Sequence, residues 1–263
     1  MPTSALLASV GYGWVRHPHR MHTMRVSPDL DAGIEVVGGP WTTGQRARDT
    51  IEPAAEWAEV PGIATRPFVL ERRRAVGRGA AECRWALPDD EHGPVALVGF
   101  SIRSLSHDAG FNLAGLSVGT DGAGSAWVRV EAGKVPDRPE HFAEIEIEAD
   151  LQLAGVGPDA GHPTPVVPEV RRVEAAGVHN GAGVNPQHRA RLLRVGPEAP
   201  LALGGFSWSV TNTPKRRGRY LRRWVTRVVP GGVEFLVSNA GIVTRPTDLD
   251  LEVFAVVARS PDA

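Results

Sequence analysis

Cysteine is almost missing from this chain: among 263 residues there is one, Cys83. An internal disulfide and a cysteine-built zinc site within one chain are thereby excluded. Cys83 lies in the run Ala-Ala-Glu-Cys-Arg-Trp and reads as a buried structural thiol. Long apolar runs are missing too, and none approaches the roughly 20 residues of a membrane-spanning helix. No basic segment precedes the mildly apolar stretch 1–13, so the charged start of a secretory signal is lacking. The expected address is the cytoplasm, with export lacking a signal as the alternative. An excess of one charge sign is absent: 29 Lys and Arg stand against 30 Asp and Glu, a formal net charge of -1, and bulk charge points to neither nucleic acid nor membrane.

Helix signals are few. The best candidate is 53–60, Pro-Ala-Ala-Glu-Trp-Ala-Glu-Val, which Pro61 stops after about two turns. Catalytic signatures are equally scarce. There is no Ser-centred elbow, no two-His helical zinc motif, no EF-hand loop and no phosphate-binding or dinucleotide fingerprint.

Turn and strand signals fill the space that is left. Gly (30) and Pro (22) make up about a fifth of the chain and punctuate many short elements. Residues 144–153, Glu-Ile-Glu-Ile-Glu-Ala-Asp-Leu-Gln-Leu, alternate strictly, and 248–257, Asp-Leu-Asp-Leu-Glu-Val-Phe-Ala-Val-Val, do so in the same phase. That period puts Ile145, Ile147, Ala149, Leu151 and Leu153 on one face, and Leu249, Leu251, Val253, Ala255 and Val257 on the matching face. Hairpins are expected at 222–238 around Pro230-Gly231, at 111–131 around 119–122, and at 24–37 around 28–33.

A heptad recurs. Ala96-Leu97-Val98-Gly99-Phe100-Ser101-Ile102 returns as Ala202-Leu203-Gly204-Gly205-Phe206-Ser207-Trp208, with a weaker form in Ala8-Ser9-Val10-Gly11-Tyr12-Gly13-Trp14. Arginine-rich runs precede the second and third heptads, at 69–75 and at 170–173 and 189–195, but not the first. The spacing predicts an all-β chain of tandem antiparallel β-sandwich modules: a truncated one at 1–62, full ones at 66–155 and 169–259, and an extended, exposed Pro/Gly linker at 156–168.

The segment Gly33-Ile34-Glu35-Val36-Val37-Gly38-Gly39-Pro40-Trp41-Thr42 and its counterpart Gly232-Val233-Glu234-Phe235-Leu236-Val237-Ser238-Asn239 resemble the H-type lectin family, in which a Gly-led late strand precedes a Trp-bearing loop. The resemblance implies small β-sandwich domains that bind galactose-type sugars and associate as trimers, with Trp41 and Asn239 as sugar contacts. The Trp often found in that family's last strand is replaced here by Phe254 or Val256 and by Leu151 or Leu153.

Four clusters bear on chemistry. His17, His19 and His22 could gather a metal but read as a solvated loop. The run 215–224, Lys-Arg-Arg-Gly-Arg-Tyr-Leu-Arg-Arg-Trp, fits a hairpin with solvent-facing arginines, a site for anions or saccharides, or nucleic acid. The ladder Glu144, Glu146, Glu148, Asp150 could pair carboxylates about 7 Å apart for glycoside hydrolysis, but it reads as a solvent face. The Gly/Asn loop 179–188 reads as a turn or a polar recognition loop.

The leading expectation is a non-enzymatic carbohydrate-binding protein that needs no cofactor or metal. Trp41 or Trp224 would stack on the ligand, and Asn212, Arg219 and Asn239 would hydrogen-bond to it. Its partner would be a carbohydrate or another polar or anionic ligand, and homo-oligomers fall within this reading. The alternatives are a structural or assembly protein, such as a component of a phage-like particle or fibre, and a polysaccharide-acting enzyme.

Overall fold

A computed structural model describes residues 5–14, 20–31, 33–39, 51–89, 93–105, 113–122, 124–133, 144–180, 189–212, 221–239 and 247–259. The described chain is all-β. Its strands are β1 (Ala5–Trp14), β2 (Arg20–Val26), β3 (Ile34–Gly39), β4 (Ile51–Glu59), β5 (Ile63–Gly77), β6 (Ala80–Ala86), β7 (Val95–Ser104) and β8 (Leu113–Thr120). There follow β9 (Ser125–Ala132), β10 (Ile145–Pro158), β11 (Pro168–Asn180), β12 (Arg189–Leu193), β13 (Pro200–Asn212), β14 (Leu221–Val229), β15 (Gly232–Asn239) and β16 (Thr247–Ala258). Among the described residues no helix is long and apolar enough to cross a membrane.

The three expected hairpins form as β2–β3, β8–β9 and β14–β15. Both alternating runs become strands, β10 and β16, and all ten of their predicted inward residues are buried. The expected helix at 53–60 is instead β4, which pairs along its length with β1. Ala-rich propensity gives way to tertiary pairing there, and the Trp57 indole donates to the Val98 carbonyl at 2.7 Å.

The strands form three antiparallel sheets. Sheet A runs β12-β15-β14-β1-β4, sheet B runs β3-β2-β7-β10-β5, and sheet C runs β11-β16-β13-β8-β9-β6. The segment boundaries read from the sequence do not coincide with sheet boundaries. Sheet A joins strands from 1–62 and 169–259, sheet B from 1–62 and 66–155, and sheet C from 66–155 and 169–259. The segments therefore share hydrogen-bonded ladders, and residues of all three sheets meet in one core cluster. The stretch 156–168 also differs from an extended linker. Pro158 still pairs within β10 and Pro168 within β11, and the exposed turn between them is tied down where Asp159 and Val166 donate to the Gly62 carbonyl at 2.9 Å each.

The recurring heptad takes one register in every sheet. Phe100 stands opposite Leu151 and Val26, Phe206 opposite Val253 and Val118, and Tyr12 opposite Pro53 and Trp224. The glycine just before the aromatic has a steric cause. A Cβ on Gly99 would lie 2.3 Å from the Val26 carbonyl oxygen, on Gly11 2.2 Å from that of Trp224, and on Gly205 3.0 Å from that of Val118. In sheets B and C a β-bulge sits immediately before this glycine, where pairing skips Val98 and Gly204. The aromatic that follows fills the space between sheets: Phe100 and Phe206 have ring centroids 6.3 Å apart, and Phe206 lies 5.5 Å from Trp224 of sheet A. Burying each such ring stabilises the fold by about 3 kcal/mol or more, judged from the usual cost of Phe→Ala in a core.

Candidate functional site

Sheet C carries the groove of interest on its outer face. The inward phase of β16 and β13 holds Val253, Phe206 and Trp208 in the core, so alternation sends Glu252, Phe254, Ser207 and Ser209 the other way. On β9 the same alternation buries Ala126, Val128 and Val130 and leaves Trp127, Arg129 and Glu131 outward. On β6 it buries Cys83 and turns Glu82 and Arg84 out.

Cross-strand register arranges these residues in rows. One row reads Arg172, Phe254, Gly205, Gly119, Trp127, Arg84, each opposite the next across the sheet. The two central glycines leave a floor without side chains. A Cβ on Gly119 would stand 2.2 Å from the Gly205 Cα, so no larger residue fits that close approach. Phe254 and Trp127 spring from strands about 14 Å apart, three inter-strand steps, yet their rings meet edge to face at 5.4 Å and 72° over this floor. The Trp127 indole N–H is held by the Ser117 hydroxyl at 2.7 Å. The Arg172 guanidinium lies 5.8 Å from the centre of the Phe254 ring.

The adjacent row reads Glu174, Glu252, Ser207, Ser117, Arg129, Glu82. Its charges are paired. Arg172 meets Glu252 at 2.5 Å and Glu174 at 3.0 Å, Arg84 meets Glu82 at 2.6 Å, and Arg129 meets Glu131 at 2.9 Å and Glu82 at 3.7 Å. The hydrogen bond that Arg172 donates to Glu252 raises the Arg172 pKa above its ordinary value, so its positive charge is fixed. Ser209 donates to Glu131 at 2.9 Å. Arg172, Phe254, Trp127 and Arg84 of the first row and Glu252, Ser207, Ser117, Arg129 and Glu82 of the second line an open groove of about 590 Å³. It offers an aromatic wall, hydroxyls, and paired acids and guanidiniums that keep spare lone pairs and N–H groups.

The residues singled out from sequence are not brought together here. Trp224 is 1% exposed and packs 5.6 Å from Trp208, so it cannot present a ring to an external ligand; its place next to Arg222 and Arg223 hid a strand that alternates into the core. Asn212 ends β13 opposite Asp248 and Asn239 ends β15 opposite Leu221; their side chains, like the whole of Trp41 and Arg219, lie outside the described residues. His17, His19 and the loop 181–188 are also outside, while His22 sits half-buried on β2. Among the described residues no group of three His, Cys, Asp or Glu could hold a metal. The carboxylate ladder of β10 is not a free solvent face: Glu148 is buried and bound by Arg72 and Arg74 at 3.3 Å each.

Sequence reading missed Trp127, Phe254, Arg129 and Arg172. The signal was present in the outward phase of each strand, where Ser125-Ala126-Trp127-Val128-Arg129-Val130-Glu131 puts an aromatic among polar residues. No protein-family model matches the chain, and no curated protein is similar to it in sequence.

Proposed function

We propose that this is a non-enzymatic carbohydrate-binding protein whose site is the outer groove of sheet C. The observation that carries this reading is the row in which Phe254 and Trp127 close over a glycine floor between two arginines, beside a row of serines and carboxylates. Sugar rings offer apolar C–H faces to an aromatic wall and hydroxyls that both donate and accept. The likeness to H-type lectins belongs to this proposal, with the family's last-strand Trp represented by Phe254. Titration of Trp127 fluorescence with a glycan panel tests it, because binding should quench or shift emission in the wild type and not in Trp127→Phe. Absence of sugar binding across the panel sinks the reading.

The strand labels support a further part of the proposal, that the scaffold is one strand pattern used three times, in part incompletely among the described residues. Adding six to each label of sheet B, β5-β10-β7-β2-β3, gives β11-β16-β13-β8-β9, which is sheet C without β6. In sheet A, read β4-β1-β14-β15-β12, the run β14-β15-β12 is β8-β9-β6 of sheet C with six added to each label, and β4-β1 is β16-β13 with twelve taken away.

A second reading, an assembly protein, is favoured by one observation. Four exposed large apolar residues, Val37, Val69, Val76 and Leu192, sit on the edge strands β3, β5 and β12. Edge strands are where chains pair. Native mass separates the two readings: a ring or fibre favours assembly, and a small species with sugar affinity favours the lectin.

A further inference from the structure

We infer that the sheet C groove selects neutral glycans and discriminates against uronates and sulfated sugars, an inference that rests on the carbohydrate reading above. Arginines in a sugar site usually point to an acidic ligand, because a guanidinium fork matches a carboxylate. Here each lining arginine already has one. Arg84 is bound by Glu82, Arg129 by Glu131 and Glu82, and Arg172 by Glu252 and Glu174. Among the described residues of the lining, Asp121 adds a fourth carboxylate to Glu82, Glu131 and Glu252, against three arginines.

An incoming carboxylate or sulfate would have to displace a resident acid. A hydroxyl needs neither. It accepts from a guanidinium N–H that the resident carboxylate leaves over, and donates to a carboxylate lone pair that the arginine leaves over. Trp127 is held by Ser117, so the ring the sugar meets is already positioned. The paired charges make the groove's field short-ranged, and binding should depend little on salt.

The test is fluorescence and calorimetric titration of the full chain with neutral gluco-, galacto- and manno-oligosaccharides, oligogalacturonate and a heparin-derived oligosaccharide. A neutral oligosaccharide should bind about tenfold or more tighter than the acidic ones. Its Kd should change less than about twofold between 50 and 500 mM NaCl, where an ionic contact would be screened. Glu131→Gln, which leaves Arg129 one acid short, should raise affinity for oligogalacturonate about tenfold relative to the neutral ligand; a folding defect cannot produce such a gain. Tighter binding of an acidic sugar by the wild type overturns the selectivity and leaves the carbohydrate reading standing. Binding of no sugar, with Trp127 emission unmoved, overturns both.

Discussion

Sheets B and C are built on one frame and finished differently. In each, the Gly-aromatic step sits at the same register beside a bulge, and a serine follows it, opposite an acid of the neighbouring strand: Ser101 opposite Asp150 in B, Ser207 opposite Glu252 in C. In each, an arginine from the edge strand reaches that acid, Arg72 at 3.9 Å in B and Arg172 at 2.5 Å in C. One row further the two part. Where C has Arg172, Phe254 and Gly205 in line, B has Val69, Gln152 and Gly99. The paired polar ladder therefore belongs to the frame, and the aromatic row belongs to C alone. A site is better sought in what C adds than in what the sheets share.

The largest effect should come from disturbing the frame. Gly99→Ala sets a Cβ 2.3 Å from the Val26 backbone oxygen, and only backbone movement relieves it. We expect a loss of about 3 kcal/mol in urea unfolding, the upper range of overpacking. Gly205→Ala meets its neighbours at 3.0 Å and should cost about 1 kcal/mol. Equal costs would mean that the closer approach at Gly99 does not make sheet B the tighter of the two.

Making C resemble B is the next test. Phe254→Gln copies the residue at the matching place in B, and Trp127→Ala removes the other wall. Each should weaken glycan binding at least about tenfold, or about 1.4 kcal/mol. The reciprocal Gln152→Phe should create no binding in B, because one step beyond the Val26–Ile34 pair B carries Gly33, which has no side chain, where one step beyond Val118–Val128 C carries Trp127. Binding gained by Gln152→Phe would show that one ring on the shared ladder suffices.

The corner where B and C meet gives a pH-dependent prediction. The Cys83 thiol of β6 donates to the Arg73 carbonyl of β5 at 3.3 Å, the Trp85 indole to that of Glu71 at 2.8 Å, and Arg73 to that of Arg84 at 2.6 Å. Burial pushes the Cys83 pKa up from 9.0 to about 11. A thiol harder to ionise when folded contributes stability that is whole below pH 9 and drains as pH rises toward 11, at up to about 1.4 kcal/mol per pH unit. Cys83→Ala should flatten that slope. In the wild type the thiol should stay unlabelled by a disulfide reagent at pH 8 until the chain unfolds.

The local pattern of this fold is readable in the sequence, and its long-range pairing is not. Alternation in β10 and β16 fixed which side chains are inward, because a one-residue slip would invert both faces. Hairpins were readable from Gly and Pro. Sheet membership was not, since β1 pairs with β14, some two hundred residues on, and nothing local to either strand names its partner. The repeated glycine was visible as a pattern, but its cause is a carbonyl on another strand. The groove escaped for a related reason: its residues run from Glu82 to Phe254 and become neighbours only through five cross-strand registers. Trp224 misled because a run of arginines beside an aromatic looks like a binding surface, and alternation buries the ring.

The smallest expected effect is also the sharpest comparison. Arg72 and Arg172 are alike in exposure, 62% and 61%, and both reach acids across the edge of their sheet. Both guanidiniums are exposed, and Arg74 stays on the buried Glu148 when Arg72 is lost, so neither Arg72→Ala nor Arg172→Ala should move the melting temperature measurably. Their effects on ligand should differ. Arg172 lies over the Phe254 ring and closes one end of the aromatic row, so its loss frees that ring to move and exposes Glu252 to the ligand. Sheet B has Val69, Gln152 and Gly99 in place of such a row. Glycan affinity should fall several-fold in Arg172→Ala and stay at the wild-type value in Arg72→Ala. A matched loss in both would place the site on the ladder that B and C share, and would remove the reason for assigning it to sheet C.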